Sequence, residues 1–288
     1  MVYDMGVCYL LGYPVGHSMS AVMHNAAFRE LSLEHRYELL PVRPGDLASV
    51  MSGRMRDPDV LGANVTIPHK VAVLGLLDWV EPEASRIGAV NTVVNDGGVL
   101  RGHNTDGMGA MRALLDANGD LGGSRILLLG AGGAARAIGY HLSKNVEALV
   151  IANRTVQRAV ELAANLSSYA ECVASVEACS LTTEDLKAVL KEADILINTT
   201  SVGMAPHVDE SPICADLLSP GLLVFDAVYN PMRTRLLRDA EEAGARTLGG
   251  LRMLVYQGAA AFELWTGLRA PEALMLRHVE EHLGGGGG

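Results

Sequence analysis

The chain has 288 residues, a formal net charge of −10 and 49% hydrophobic content. None of its apolar runs reaches the roughly 18 residues needed to span a bilayer, and an acidic balance without a basic run argues against non-specific nucleic-acid binding. The length exceeds what one hydrophobic core usually organises, so two domains are expected.

Met1-Val2-Tyr3-Asp4 lacks the basic start and apolar core of a secretory signal. Cys8, Cys172, Cys179 and Cys214 have neither CxxC spacing nor a histidine cluster. They read as reduced, mostly structural thiols of a cytoplasmic protein with no metal site.

Strand-like and helix-like segments alternate through the first hundred residues. Val7 to Gly12 reads as an apolar strand ending in Gly-Tyr-Pro, Ala21 to Leu31 as a helix and Tyr37 to Val42 as a strand. Asp46 to Met55 reads as a helix, Gly62 to Thr66 as a strand and Val71 to Val80 as a helix. Ile87 to Val94 reads as another strand, closed by the turn Asn95-Asp96-Gly97-Gly98, with Val99 and Leu100 starting the return strand. Asp106 to Ala117 is helical, ends at Asn118-Gly119 and leads into the second domain.

Polar clusters interrupt these elements. In Gly16-His17-Ser18-Met19-Ser20, two hydroxyls two residues apart precede a helix. They can hold a small carboxylate, or Ser20 can simply cap the helix. Asn64-Val65-Thr66-Ile67-Pro68-His69-Lys70 puts Asn64 and Thr66 on one face of a strand end. Only four residues are Lys (Lys70, Lys144, Lys187 and Lys191) against nineteen Arg, so Lys70 inside this motif stands out, although a solvated lysine at a helix start would look the same. Asn91 lies among Val90, Val93 and Val94, where a buried amide needs a partner. Asp106, in Asn104-Thr105-Asp106-Gly107, serves either the helix dipole or, beside Lys70, a proton-handling pair suited to alcohol–ketone chemistry. His17, His24, His69 and His103 read as hydrogen-bonded structural groups.

From Ser124 the alternation becomes regular, with strands at 125–129, 148–152, 170–174, 194–198, 222–226 and 245–248. That pattern specifies a doubly wound parallel sheet. Gly130-Ala131-Gly132-Gly133-Ala134-Ala135 sits between the strand Arg125 to Leu129 and the helix Ala134 to Ser143. Glycine lets the backbone approach a pyrophosphate, and the helix N-terminus offers N–H groups and partial positive charge. The next strand ends in Asn153-Arg154-Thr155, with Arg158 one helical turn further on. An NAD site usually has a carboxylate there; two arginines instead attract a 2′-phosphate, so the cofactor is read as NADP(H). Met253 to Thr266 and Pro271 to His282 read as helices that return to the first domain, and Gly284 to Gly288 as a flexible tail.

Taken together, Gly12 to Ser20 with His24-Asn25, Asn64 to Lys70, Gly88 to Thr92, Asn104 to Gly107, the Gly130 turn, Asn153 to Thr155, Asn198 to Met204, Asp226 to Pro231 and Met253 to Gln257 resemble the shikimate dehydrogenase family. The resemblance runs in order from about residue 7 to 283. It departs from the family pattern at Ala21, usually Pro, and at Arg252, often Gly.

The resemblance implies two α/β domains: residues 1–105, completed by 251–283, for the substrate, and a Rossmann-type domain, residues 106–250, for NADP. It implies NADPH-dependent reduction of 3-dehydroshikimate to shikimate in aromatic amino-acid biosynthesis. Lys70 and Asp106 would be the catalytic pair. Ser18, Ser20 and Tyr229 would hold the carboxylate, and Asn64, Thr66, Asn91 and Gln257 would bind the rest of the ring. The cofactor would lie on Gly130, Ala131, Gly132, Gly133, Ala134, Asn153, Arg154, Thr155, Arg158, Thr199, Ser201, Ala227 and Gly250. A homodimer is compatible with this picture. Two rivals are a quinate-using enzyme, against which Ser20 and Asn153-Arg154-Thr155 speak, and a regulatory homologue that has lost catalysis, against which Lys70 and Asp106 speak.

Overall fold

The structure is a computed structural model that describes residues 5–284. Both the chain start, read above as lacking a leader, and residues 285–288 of the glycine tail lie outside them. The chain divides into two compact units, one running up to Asp106 and resuming at Leu254, the other spanning Gly107–Met253.

The first unit is built on a six-stranded mixed sheet ordered β2-β1-β3-β5-β6-β4. Its strands are β1 (Val7–Gly12), β2 (Arg36–Pro41), β3 (Val60–Val65), β4 (Trp79–Val80), β5 (Thr92–Asp96) and β6 (Val99–His103). β1 pairs in parallel with both β2 and β3, while β3–β5 and the hairpin β5–β6 are antiparallel. Its helices are α1 (Ser20–Glu30), α2 (Leu47–Ser52) and α3 (Pro82–Ile87), joined by α10 (Glu272–Gly284) and most of α9 (Leu251–Thr266). Leu11, Met51, Met55, Val65, Val90, Val93 and Leu100 form a core cluster, every one of them under 3% exposed. Gly284 closes α10, and so belongs to a helix.

Two expectations here need correcting. Residues 71–80 are not one helix: a 3-10 turn, Ala72–Leu76, is followed by the two-residue strand β4. Val71, Val73 and Gly75 are poor helix formers, and Asp78 accepts the Leu100 N–H, which commits the chain to the sheet. Nor does a strand begin at Ile87. That residue ends α3, whose Pro82 start and left-handed Gly88 cap (φ 69°) follow the usual N-terminal Pro, C-terminal Gly asymmetry. Asn91 therefore sits just before β5.

The second unit holds a six-stranded, wholly parallel sheet ordered β12-β11-β10-β7-β8-β9. Its strands are β7 (Arg125–Leu129), β8 (Ala148–Ala152), β9 (Ser175–Cys179), β10 (Ile195–Asn198), β11 (Leu223–Asp226) and β12 (Arg246–Gly249). Taken in chain order that is 3-2-1-4-5-6, the doubly wound arrangement of dinucleotide-binding domains. The helices are α4 (Asp106–Asn118), α5 (Gly133–Leu142), α6 (Val156–Ser167), α7 (Thr183–Leu190) and α8 (Arg235–Glu242). Strand β9 lies five residues beyond the expected 170–174. Val173 is 69% exposed, and β9 is an edge strand whose residues are exposed or only half-buried, so its apolar signal is weaker than that of the loop before it.

Candidate functional site

In the first unit the loops after β1 and β3 are stitched side by side. Thr66 N–H donates to Leu11 O at 2.8 Å and Tyr13 N–H to Ile67 O at 3.0 Å. Thr66 also lays its methyl over Gly12, where an added Cβ would come within 2.3 Å of it. The Val65 N–H donates to Asn91 O at 2.8 Å, which draws the start of β5 to the same end of the sheet. His69 is buried, and its Nε2 lies 2.7 Å from Val42 O, so it anchors the turn from which Lys70 projects.

Lys70 Nζ donates to Asp106 Oδ2 at 2.6 Å. The lysine side chain keeps 16% of its surface exposed and the aspartate 5%. Asn91 Nδ2 donates to the other carboxylate oxygen at 2.9 Å, to Thr105 Oγ1 at 2.9 Å and to Gln257 Oε1 at 3.2 Å. Asp106 does open α4, and Asn104 Oδ1 accepts its N–H at 3.1 Å. Its carboxylate, however, is spent on Lys70 and Asn91. The pairing reading of Asp106 is the one this geometry supports.

Ser18 and Ser20 meet directly, the Ser18 hydroxyl donating to Ser20 Oγ at 3.2 Å while Ser20 N–H donates back to Ser18 Oγ at 3.3 Å. Met19 holds the N-cap position of α1 and makes no side-chain cap bond, and Ser20 is the first residue inside the helix, so Ser20 is not its cap. Asn64 differs from the other first-unit residues. Its Oδ1 accepts from Tyr37 Oη at 2.8 Å, and its Nδ2 donates to Asn91 O at 3.3 Å and Thr92 Oγ1 at 3.2 Å. Both ends of that amide are engaged inside the protein. His24 also departs from the hydrogen-bonded role expected of it. Fully buried, it stacks on Tyr37 with ring centres 4.5 Å apart, and neither ring nitrogen has a hydrogen-bond partner. Burial pushes its pKa down to about 3; the Asn64 side chain opposes this without reaching hydrogen-bond geometry.

In the second unit the turn after β7 is shaped by Gly130, whose φ of +112° and whose missing Cβ, which would sit 2.6 Å from Thr199 Oγ1, both exclude a side chain. The Thr199 hydroxyl donates to Leu129 O at 2.6 Å and so braces the turn. Gly132 is extended and exposed, and no side chain caps α5. Its first N–H groups are therefore available to an anion, with half-buried Ala131, Gly133 and Ala134 around them. At the end of β8, Asn153 Nδ2 donates to Thr155 O at 2.9 Å, and Arg154 and Arg158 are both exposed. Ser201 is exposed, while Ala227 and Gly250 meet so closely that a Cβ on Gly250 would lie 2.3 Å from Ala227 O. Tyr229 lies in this unit, on the segment after β11. That segment is tied by Asp226, which accepts from Asn198 Nδ2 at 2.9 Å, Val228 N–H at 3.0 Å and Thr234 Oγ1 at 2.7 Å. Burial pushes the Asp226 carboxyl up to about 6, and these three donors hold it from rising further.

Among the described residues no group of three or more His, Cys, Asp or Glu could hold a metal ion, and no helix is long and apolar enough to cross a membrane. The four cysteines are free. Tyr37, Thr92 and Thr105 are contributors the sequence did not single out. Thr92 and Thr105 adjoin residues that it did, whereas Tyr37 carries no local signal.

Family models match along the chain: the shikimate dehydrogenase substrate binding domain over residues 10–93, shikimate/quinate 5-dehydrogenase over 113–211, and the shikimate 5′-dehydrogenase C-terminal domain over 250–280. A shikimate dehydrogenase (NADP(+)) of Moorella thermoacetica is 47% identical, with 98% of this chain and 95% of the relative aligned. A crystal structure of shikimate dehydrogenase in complex with NADP+ superposes with a TM-score of 0.87 at 38% identity, covering 97% of this chain and 96% of that one. The Thermus thermophilus enzyme, solved with NADP(H) and shikimate, gives 0.84 at 40% identity, with coverages of 96% and 99%. On sequence and fold alike, the chain belongs to the shikimate dehydrogenase family.

Proposed function

We propose that this protein catalyses the reversible, NADPH-dependent reduction of 3-dehydroshikimate to shikimate, in the pathway that supplies aromatic amino acids. The observation that carries this reading is the Lys70–Asp106 contact of 2.6 Å, partly open on the lysine side and ringed by Asn91 and Gln257. Bound NADPH supplies the hydride. The chain's own part is orientation and charge. As the ketone accepts hydride, negative charge grows on its oxygen, and the Lys70 ammonium stabilises that charge and delivers the proton. Asp106 holds Lys70 in place and orients a neighbouring ring hydroxyl. Thr66, Asn91 and Gln257 fix the ring, while Ser18, Ser20 and Tyr229 take the carboxylate.

The cofactor fits the second unit. A positive-φ glycine turn and an uncapped helix N-terminus suit a pyrophosphate, and exposed Arg154 and Arg158 suit a 2′-phosphate. Residues 130–134 would cradle the phosphates, Asn153, Arg154, Thr155 and Arg158 the adenosine ribose, and Thr199, Ser201, Ala227 and Gly250 the nicotinamide half. A cytoplasmic location and a homodimer accompany this reading, and light scattering tests the latter.

Initial rates with shikimate and with quinate, each with NADP⁺ and with NAD⁺, test the assignment. Shikimate with NADP⁺ should give the highest kcat/KM of the four. A preference for quinate with NAD⁺ would replace this reading with the quinate-using one, and no turnover of either acid would leave a homologue without catalysis.

A further inference from the structure

The side chains that meet Asp106 are backed by a second tier that no ligand can touch. Thr92 is 0% exposed, Tyr37 2% and Asn64 5%. The direction of each hydrogen bond in this tier follows from backbone groups whose roles cannot change. The carbonyl of Asn91 only accepts, so the Asn64 atom facing it is Nδ2, and Oδ1 is left for the Tyr37 hydroxyl to donate to. The same Nδ2 donates to Thr92 Oγ1, and the Thr92 hydroxyl in turn donates to Asn91 Oδ1 at 3.1 Å. The Thr105 N–H only donates and meets that same oxygen at 2.8 Å. The NH₂ of Asn91 is thereby turned toward Asp106 Oδ1. A carboxamide rotates in a broad, shallow torsional well, so without these partners Asn91 would have little to hold its plane.

We propose that Thr92, backed by Asn64 and Tyr37, is a positioning relay that holds the Asn91 carboxamide, and through it the Asp106 carboxylate, in the geometry the Lys70–Asp106 pair uses. This rests on the catalytic reading of that pair. Asn64 then acts on the site from inside the sheet, across the pairing of β3 with β5, and not on the substrate. The chain of donors runs one way: Tyr37 to Asn64, Asn64 to Thr92, Thr92 to Asn91, Asn91 to Asp106. Each link is buried, so a lost partner leaves a polar atom in a low-dielectric interior, and a break at Thr92 should be felt at Asp106.

Thr92 allows hydroxyl and volume to be separated. Thr92→Val keeps the shape and removes the hydroxyl, whereas Thr92→Ser keeps the hydroxyl and removes a methyl from the core. With shikimate and NADP⁺, Thr92→Val should lower kcat about tenfold, the equivalent of about one hydrogen bond. Thr92→Ser should stay within about twofold of the unmodified protein while melting at a lower temperature, since a buried methyl is lost. KM for NADP⁺ should be unchanged in both. Tyr37→Phe, one link further out, should lower kcat about threefold, the lower end for one hydrogen bond.

Unaltered kcat in Thr92→Val, or an equal loss in Thr92→Val and Thr92→Ser, overturns the relay. Should Thr92→Val not fold, Tyr37→Phe decides, and unaltered kcat there overturns it as well. Lys70→Ala measured in parallel separates the two claims. If it too keeps its activity, the catalytic reading falls; if it loses activity while Thr92→Val does not, only the relay falls.

Discussion

In the first unit the groups that converge are side chains held by other side chains: Lys70 on Asp106, Asp106 on Asn91, Asn91 on Thr92 and Thr105. In the second unit the corresponding ground is backbone. Gly130 bends the chain, α5 presents its N–H groups, and the nearby side chains Thr199 and Asp226 spend their polar atoms on Leu129, Val228 and Thr234 to brace loops. The contrast follows from what each surface has to recognise. A pyrophosphate is met well by a row of N–H groups and a helix dipole, which any sequence supplies once the turn is glycine. A ring with distinct hydroxyls and a reacting oxygen needs particular atoms at particular points, and those come only from side chains whose rotamers are locked. Damage to the first unit should therefore appear in kcat, and damage to the second in cofactor KM.

The largest expected effect tests the first half of that statement. Lys70→Ala should lower kcat by ~10²–10⁴-fold, the range for a positioned acid or base, with a much smaller change in shikimate KM. Asp106→Asn should act in the same direction because Lys70 loses its partner. Steady-state kinetics on folded protein checks both, and a Lys70→Ala enzyme with more than about a tenth of the original kcat would fall outside that range and remove the assignment.

Each unit also buries a group that burial shifts into or below the acid range, His24 in the first and Asp226 in the second, and these two respond to acid in opposite senses. His24, at about 3, lies below its unfolded value, so its contribution to stability is present above about pH 6.5 and is lost as pH falls toward 3. That is worth up to about 5 kcal/mol across the window. Asp226, at about 6, lies above its unfolded value of 3.8. Its contribution is greatest below pH 3.8 and is lost as pH rises through 6, for about 3 kcal/mol. On going from pH 7 to pH 5, amide exchange should accelerate in the first unit relative to the second. His24→Phe, which keeps a ring on Tyr37, should flatten the acid loss of melting temperature, and Asp226→Asn should deepen it. An acid loss identical in His24→Phe and the unmodified protein would contradict the assignment to His24.

How much could be read without a structure follows the same division. The Gly130 turn, Asn153-Arg154-Thr155 and strands β7 and β8 were legible because glycine placement and buried parallel strands leave local signatures. Lys70 and Asp106 stood out from composition and motif context, yet their 2.6 Å contact joins residues 36 apart and needed the fold. Tyr37 could not be found at all. Its role depends on β2 pairing with β1, β1 with β3 and β3 with β5, a lateral register no local pattern encodes. The misplaced strand β9 fails for a related reason, since an edge strand carries less apolar alternation than the loop before it. Helix α3 is different: Pro82 and Gly88 announced it, and the apolar run beyond them obscured the signal.

Of the second unit's own tests, Gly130→Ala comes first. Its φ of +112° and a Cβ 2.6 Å from Thr199 Oγ1 should cost about 1–3 kcal/mol of local strain, read as a raised NADP⁺ KM with kcat at saturation largely kept. A loss confined to kcat would mean that the turn does not carry the cofactor.

The smallest effect separates the nucleotide's phosphate from the rest of it. Arg154 and Arg158 are exposed at the end of β8 and the start of α6, so neither supports a core, and removing both should leave melting temperature nearly unchanged. Only NADP⁺ carries the 2′-phosphate. Arg154→Ala combined with Arg158→Ala should therefore raise KM for NADP⁺ and leave that for NAD⁺ nearly as it was. One charge-assisted hydrogen bond is worth ~1.5–3 kcal/mol, so at least about a tenfold loss of preference is expected even after solvent screening reduces the pair's combined effect. Because the attraction is between exposed charges, the preference of the unmodified protein should itself shrink as salt rises, and that of the double variant should not. Equal losses for both cofactors would make these arginines supports of the loop. A preference that survived the substitution would hand the 2′-phosphate to Asn153 and Thr155, whose side chains lie at the same strand end.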